Sequence, residues 1–479
     1  MKKQIIAACL IATMCTPLAA CNRNDTASGD NTENVTIEWY YPGNEQADTS
    51  LVEEKINQLV EGVNLKLKPI DSGAYDEKMN MMMASGTPFD ICFSGYVNTY
   101  RRGVSMGGFL KLNDYIDEQP ALKEAIPDYA WEAVTLGNGD IYAIPNLQIY
   151  AQSRAVCVLK EYAEKYNLDV SQLKKIGDIE PFLEKIKQNE NDVYPFDPGY
   201  GLSAWTMNDK EQIIMGISSL AIKRGDPQAK VLKVYDSQEF TDGVTTLRDW
   251  YNKGYIRQDI ASAQGTQDAA KKSVVCQNTY KPGLAEDYKL AHGDDIVYFV
   301  IDNPYMSANN TIQTLNAIGA NCKHPKEAMQ LLETIYTNED VFRLLIHGIE
   351  GTHYEKIGDK HFKPINTDKY NNHAYGWMFG NQFMTLLAEG KPDDTWEETK
   401  RLNDESDKSP LLGFIVDTNS ILNEIANVTA VESEFKGLSN GSMGPESIQT
   451  YKKKLEEAGI DRIVEEVQKQ IDEFIKEKK

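Results

Sequence analysis

Apolar and polar residues alternate along Val35-Thr36-Ile37-Glu38-Trp39-Tyr40-Tyr41, and Pro42-Gly43 ends the run, which predicts a half-buried strand. The period then changes. Val52, Ile56, Leu59, Val60 and Val63 recur at helical spacing behind Ser50-Leu51-Val52-Glu53, which has the capping-box pattern. Leu65 to Ile70 alternates again, Tyr75 to Ser85 predicts a helix closed by Gly86 and Pro88, and Phe89 to Ser94 predicts a third strand. A β-α-β-α-β order implies a parallel sheet with helices on its faces, hence an α/β fold. Ligands bind beyond the carboxyl ends of strands in such sheets. Tyr41-Pro42-Gly43-Asn44 and Ser94-Gly95-Tyr96 lie just past strand ends, so they are expected to be neighbours in space.

Further along, Asn138-Gly139 between Val134-Thr135-Leu136 and Ile141 to Ile144 is a hairpin signal. Short strands are predicted at Val156–Leu159, Ser273–Cys276, Ile296–Ile301 and Ala317–Ala320, and helices at Glu161–Tyr166, Ile179–Ile186, Phe240–Tyr251 and Lys326–Ile335. The chain after Gly351 is less regular, with an aromatic loop at Trp377-Met378-Phe379-Gly380-Asn381. Leu455, Ile463, Val467, Ile471 and Phe474 form an apolar stripe among charges and read as a packing helix.

The 479 residues leave room for two or three domains. A net charge of −22 argues against nucleic acid and against broad contact with anionic lipid. Cys92, Cys157, Cys276 and Cys322 lie far apart with no C-x-x-C spacing; three of them sit in apolar, strand-like runs and read as buried free thiols. There is no H-E-x-x-H, P-loop, G-x-S-x-G or G-x-G-x-x-G motif, the six histidines are scattered, and no nucleophile–base arrangement stands out. Neither a catalytic residue, a metal site nor a cofactor is expected.

Aromatic residues gather instead at predicted strand ends and loops. Tyr41, Tyr96, Trp205, Tyr280 and Trp377 are the candidate binding aromatics, with Asn44, Asn278 and Asn381 as polar contacts. Aromatic faces beside a few amides suit a small-molecule pocket, and sugar rings in particular, whose C–H faces pack on a ring while their hydroxyls bond to amides. Each of these aromatics could equally fill core. Trp205 and Trp377 rest on loop position and resemblance alone.

The amino terminus has Lys2 and Lys3, an apolar run from Ile5 to Met14 too short to span a bilayer, and then Leu18-Ala19-Ala20-Cys21. That tetrad resembles the bacterial lipobox, which implies a signal peptide over residues 1–20 and a lipid on Cys21. The polar stretch to residue 34 reads as a flexible tether.

The body resembles the extracellular solute-binding proteins of ABC importers, sugar-binding type. Ala84-Ser85-Gly86-Thr87-Pro88-Phe89-Asp90-Ile91, Gly139 to Pro145 and Ala317 to Ala328 are similar to ordered segments of that family. Gly413 to Asp417, Glu424 to Val428, Ala458 to Asp461 and Gln468 to Gln470 resemble the extra C-terminal region of a lipoprotein subgroup. The resemblance implies a two-lobed periplasmic-binding-protein-like fold with a hinge and ligand cleft, plus C-terminal helices. Lobe 1 would span 35–145 with about 301–321, and lobe 2 would span 150–298 with the helices after 325. Residues 351–479 would form an extension on the lobes. Chain crossings are expected near Asn146–Ser153 and Ile296–Asn303.

The function implied is a non-catalytic, monomeric receptor that captures a carbohydrate or oligosaccharide for ABC permease subunits and touches the membrane only through its lipid anchor. The subgroup is also linked with uronate-bearing oligosaccharides. An anionic solute would want an arginine, for which Arg101, Arg102 and Arg154 are near candidate positions but read as exposed. Two alternatives stay open at this point: a surface polysaccharide-degrading enzyme and an adhesion lipoprotein.

Overall fold

In the computed structural model the alternating start folds as a parallel sheet. Val35–Pro42 pairs along its length with Val63–Ile70 and, on its other side, with Ile91–Gly95. Thr314–Ile318 adds antiparallel to Ile91–Gly95, and Ala143–Pro145 completes the five strands. The structure describes residues 34–96, 99–199, 201–214, 217–262 and 271–478, so the leader and Cys21 lie outside the described residues. Period-2 alternation sends Ile37 and Trp39 inward, where they pack with Leu65 and Leu67 and with Val52 and Ile56 of the helix Thr49–Asn57. Each such side chain contributes about 1.5–3 kcal/mol on burial.

A second sheet has four strands. Ser153–Leu159 lies between Lys272–Tyr280 and Ile296–Val300, antiparallel to both, and Val193–Phe196 forms the far edge. Val156 and Val158 on one face pack with Phe182, Leu183, Ile186 and Trp250. Ala155, Cys157 and Leu159 on the other face meet Leu284, from the helix Leu284–His292. The chain passes from the first sheet to the second between Pro145 and Ser153, and returns between Val300 and Thr314. The C-terminal helices Leu422–Glu434, Ile448–Glu457 and Ile460–Glu477 form a third core with Leu220, Ile222, Val234 and Val244.

Several local expectations are corrected. The helices Pro325–Thr337 and Glu339–His347 pack on the first sheet's core, through Leu331, Leu332, Ile335, Val341 and Leu345, and not with lobe 2. The connection from Ile318 to Pro325 is short, so the helix stays beside the strand it follows. Ser50 caps nothing: the first helix begins at Thr49, and Glu53 accepts from the Leu67 N–H at 2.7 Å and pairs with Lys66 at 2.9 Å. Asp128–Val134 is helical, so the Asn138-Gly139 turn joins a helix end to a short strand and only Thr135 and Ile141 bridge. The final stripe is split between two helices at Gly459, whose φ of 93° an L side chain rarely adopts.

Candidate functional site

Four of the nominated residues meet at the carboxyl end of the first sheet. Tyr41, Asn44, Tyr96 and Trp377 line one pocket of about 330 Å³ with Gln46, Asn371, Asn372 and Tyr375. Its rings form a connected set. Tyr96 lies 6.1 Å from Trp377 and 5.5 Å from the buried Phe93, and Tyr375 lies 6.2 Å from Trp377. Tyr96 and Tyr375 are 47% and 46% exposed, an unusual state for large aromatics on neighbouring loops. Tyr41 is 3% exposed and packs edge-on against Phe379 at 4.8 Å. Burial raises the Tyr41 and Tyr96 hydroxyls above their ordinary value, so both stay neutral at physiological pH.

The pocket wall is built from segments far apart in the chain. Gln46 donates to Asn372 Oδ1 at 2.9 Å and accepts from the Asn371 N–H, joining the loop after the first strand to the loop before Trp377. Beneath them the fully buried Asn146 donates to the carbonyls of Trp377 and Met378, at 3.0 and 2.7 Å. Asn316 donates in turn to Asn146 Oδ1 at 2.8 Å and to the Phe379 carbonyl at 3.0 Å. The residue at the start of the first crossing thus fixes the backbone that carries Trp377.

The other nominated residues lie elsewhere. Trp205 is on the short helix Ser203–Thr206, half-buried, with its ring 6.0 Å from Trp250 in the second sheet's core. Its packing depends on Gly243, where a Cβ would come within 3.1 Å of Trp205 Cβ. Asn278 accepts from the Thr279 N–H at 2.8 Å, and Tyr280 packs on Tyr298 at 5.9 Å, both on the second sheet. Asn381 does not line the pocket: it accepts from the Phe383 N–H at 3.2 Å and donates to the Tyr336 carbonyl at 3.2 Å. Gln46, Asn372 and Tyr375 are pocket residues that pattern reading missed. Of these only Tyr375 carried a signal, as a second aromatic two residues before Trp377.

A larger cavity of about 810 Å³ lies on the other side of the Gly95–Tyr96 turn. Gly95, Thr99, Arg101 and Arg102 contribute to it, as do Asp417, Glu466, Gln470 and Phe474 of the C-terminal region. Gly95 has to be glycine, because a Cβ would sit 1.8 Å from the Gln313 carbonyl oxygen. The arginines are more engaged than expected. Arg154 is mostly buried and pairs with Asp302 at 2.7 Å, and Arg102 pairs with Asp76 at 2.8 Å. Arg101 reaches the Ile213 and Phe414 carbonyls and Asn309 Oδ1 at 3.3–3.5 Å, and burial lowers its guanidinium to about 10. Among the described residues the aromatic pocket's lining includes none of the three and no other charged side chain, whereas Arg101 and Arg102 line the larger cavity.

Two lobes joined by crossing segments, with an aromatic pocket at the strand ends, are the architecture of solute-binding proteins. Residues 53–349 match the bacterial extracellular solute-binding protein family, and the chain belongs to that family. Residues 410–476 match a domain of unknown function, DUF3502. The whole chain is 28% identical to a carbohydrate ABC transporter substrate-binding protein of Streptococcus pneumoniae, over 99% of that protein. The N-glycan transport solute-binding protein NgtS of Streptococcus pneumoniae superposes with a TM-score of 0.83 at 26% identity, covering 93% of this chain and all of that one. Its complex with Man5GlcNAc gives 0.77. The alginate-binding protein AlgQ2, at 15% identity and a TM-score of 0.62 over 92% of this chain and 98% of its own, shares the fold.

Proposed function

We propose that this chain is a non-catalytic receptor lipoprotein that captures a neutral oligosaccharide and delivers it to an ABC permease. The observation that carries the reading is the pocket itself: exposed rings at Tyr96 and Tyr375 and the half-buried Trp377 beside Asn44, Gln46, Asn371 and Asn372, with no charge among the described lining residues. Stacking on ring faces plus neutral amide contacts suits an uncharged sugar in this pocket, where a uronate would find no cation among the described lining residues; the arginines Arg101 and Arg102 line only the larger cavity, beside Asp417, Glu466, Glu473 and Glu477. The relative whose complex contains Man5GlcNAc supports the same ligand class.

A pocket of about 330 Å³ is at the small end for ligand sites, so a longer glycan runs out of it. The larger cavity beside Gly95, with carboxylates that accept from sugar hydroxyls and Arg101 and Arg102 that donate to them, gives it room. Tyr41 acts mainly as the pocket floor and Asn381 as a positioning residue. Tyr280, opposite Ser153 in register, stands with Asn278 near the crossing and would meet the solute from lobe 2, while Trp205 packs with Trp250 on the sheet's other face. In this reading lobe 1 comprises 35–145 with about 301–321, and lobe 2 comprises 150–298. Residues 1–20 are the signal peptide, Cys21 carries the lipid, and the stretch to residue 34 tethers a monomeric body outside the cytoplasm.

Titration calorimetry with mannose- and N-acetylglucosamine-containing oligosaccharides, oligogalacturonate and a peptide panel tests this, with chromatography of the recovered ligand. Saturable binding of a neutral glycan recovered intact is expected. Binding of oligogalacturonate alone would overturn the neutral ligand, and cleaved glycan would overturn the receptor reading.

A further inference from the structure

Cys157 and Cys276 face each other directly across two antiparallel strands of the second sheet. Both are free thiols, and both project to the face covered by the helix Leu284–His292. Facing residues of an antiparallel pair have Cα atoms about 4.5–5.5 Å apart, within the about 4.4–6.8 Å window of a disulfide. Their Cβ atoms stand about 4.5–5.5 Å apart against the about 3.5–4.5 Å a disulfide holds, so closing the bond draws the strands together by about 1 Å. Cys92, in contrast, faces Tyr40 and Ala317 in register, and the Cys322 thiol bonds to Asp90 at 3.2 Å.

The two sulfurs differ in access. Cys157 is buried between Cys276 and Tyr298, whereas Cys276 is half-buried with its Sγ 3.9 Å from the Tyr288 hydroxyl. A hydrogen bond between the thiols lowers Cys276 and raises Cys157, so Cys276 ionises first. The family is extracellular, where thiols meet oxidants and disulfides persist.

We propose that Cys157 and Cys276 are a thiol pair that oxidises to a cross-strand disulfide, with a small-molecule disulfide as the oxidant. The Cys276 thiolate attacks one sulfur of the oxidant, forming a mixed disulfide and releasing one thiolate. Cys157 then loses its proton and attacks Cys276 Sγ, breaking the mixed disulfide and releasing the second thiolate. The two cysteines lose two electrons and two protons, and the oxidant becomes two thiols. The bond joins the strand that begins just after the first crossing to the strand that ends at Tyr280, near the proposed binding face. The strain of drawing the strands together makes it readily reducible.

The full-length protein, treated with oxidised glutathione and alkylated in denaturant, tests the pair by tryptic mapping. The peptides Ala155–Lys160 and Ser273–Lys289 should be recovered joined, two hydrogens lighter than their sum, and separated again by dithiothreitol. Free thiols among Cys92, Cys157, Cys276 and Cys322 should fall from four to two. The oxidised wild type should melt at a higher temperature than the reduced form, and Cys276→Ser should lose that difference. Recovery of either peptide alkylated, held as a glutathione adduct or joined to another cysteine would overturn the pair, as would the same melting shift in Cys276→Ser.

Discussion

Asn146 donates from its side-chain amide to the carbonyl oxygen of Trp377 at 3.0 Å, so the residue that opens the crossing between sheets also holds the aromatic loop of the pocket. Its second donor bond goes to Met378, and its Oδ1 accepts from Asn316. Asn146→Ala would leave buried carbonyls unpaired, each at about 1–3 kcal/mol. Urea unfolding should show a loss of at least that size, and solute affinity should fall beyond what the folded fraction explains. Unchanged stability would show that the network does not hold the loop.

Tyr96 and Tyr41 share the pocket but differ in burial, so their truncations should separate. Tyr96 is 47% exposed, and Tyr96→Ala should lower affinity about ten- to a hundredfold, or about 1–3 kcal/mol by analogy with base stacking on aromatics, with the melt preserved. Trp377→Ala should lower affinity similarly, with a modest loss of stability because its ring also packs on Phe93. Tyr41→Ala removes a buried ring and should cost about 3–5 kcal/mol of stability. Calorimetry and thermal melts on the same samples decide this. If Tyr96→Ala melts early and binds normally, Tyr96 is a packing residue.

Lys391 and Asp287 tie the C-terminal third to the helix Leu284–His292. The Lys391 ammonium is nearly buried against the Asp287 carboxylate, and burial lowers its pKa even with that partner in place. Asp287 also pairs with Lys281 at 2.7 Å. Asp287→Ala strands a buried cation and should cost about 3–5 kcal/mol, measured by urea unfolding. A neutral result would mean that water or another carboxylate reaches Lys391.

Cys21 is the expected attachment point of the lipid, from the Leu18–Cys21 tetrad behind a short apolar run. In a lipoprotein-processing bacterial host, labelled fatty acid should enter the wild type and not Cys21→Ala. Equal labelling would remove the anchor from the proposed function.

The first sheet was legible because each strand declares itself locally. Ile37 and Trp39 alternate with polar residues, and turn residues close the helix Tyr75–Ser85. The strand-end rule then brings Tyr41 and Tyr96 to one pocket without knowledge of the packing. Gln46 and Asn372 were not legible, since their hydrogen bond spans 326 residues and the stretch around Asn372 has no period. Trp205 shows the opposite difficulty. A tryptophan in a loop-like run looks the same in sequence whether it faces solute or, as here, Trp250. The helix Pro325–Thr337 was recognised as a helix, but its sheet was set by a chain return that pattern alone does not specify.

His347 stacks on His373, the residue after Asn372, and the pair makes the stability of the fold acid-sensitive. His347 Nε2 accepts from the Leu386 N–H at 3.2 Å, which places its proton on Nδ1, facing His373 Nδ1 at 3.1 Å. Both are neutral in the folded protein. Burial, then the neighbouring imidazole, holds His347 well below the usual histidine range, and burial, then His353, lowers His373 to about 4. Unfolded histidine titrates near 6.5, so below that pH the unfolded chain takes up protons that the folded chain refuses. The stability these groups contribute is therefore fully present above about pH 6.5 and is lost as pH falls toward 4, by at most about 3 kcal/mol for His373. Urea unfolding at pH 7 and pH 5 should show a larger loss in the wild type than in His373→Asn, whatever the starting stability of the variant. Solute affinity of the folded fraction should hold over the same interval, because the imidazoles beside Asn372 stay neutral there. Identical pH dependence in wild type and variant would show that the imidazole pair is not the acid-sensitive element.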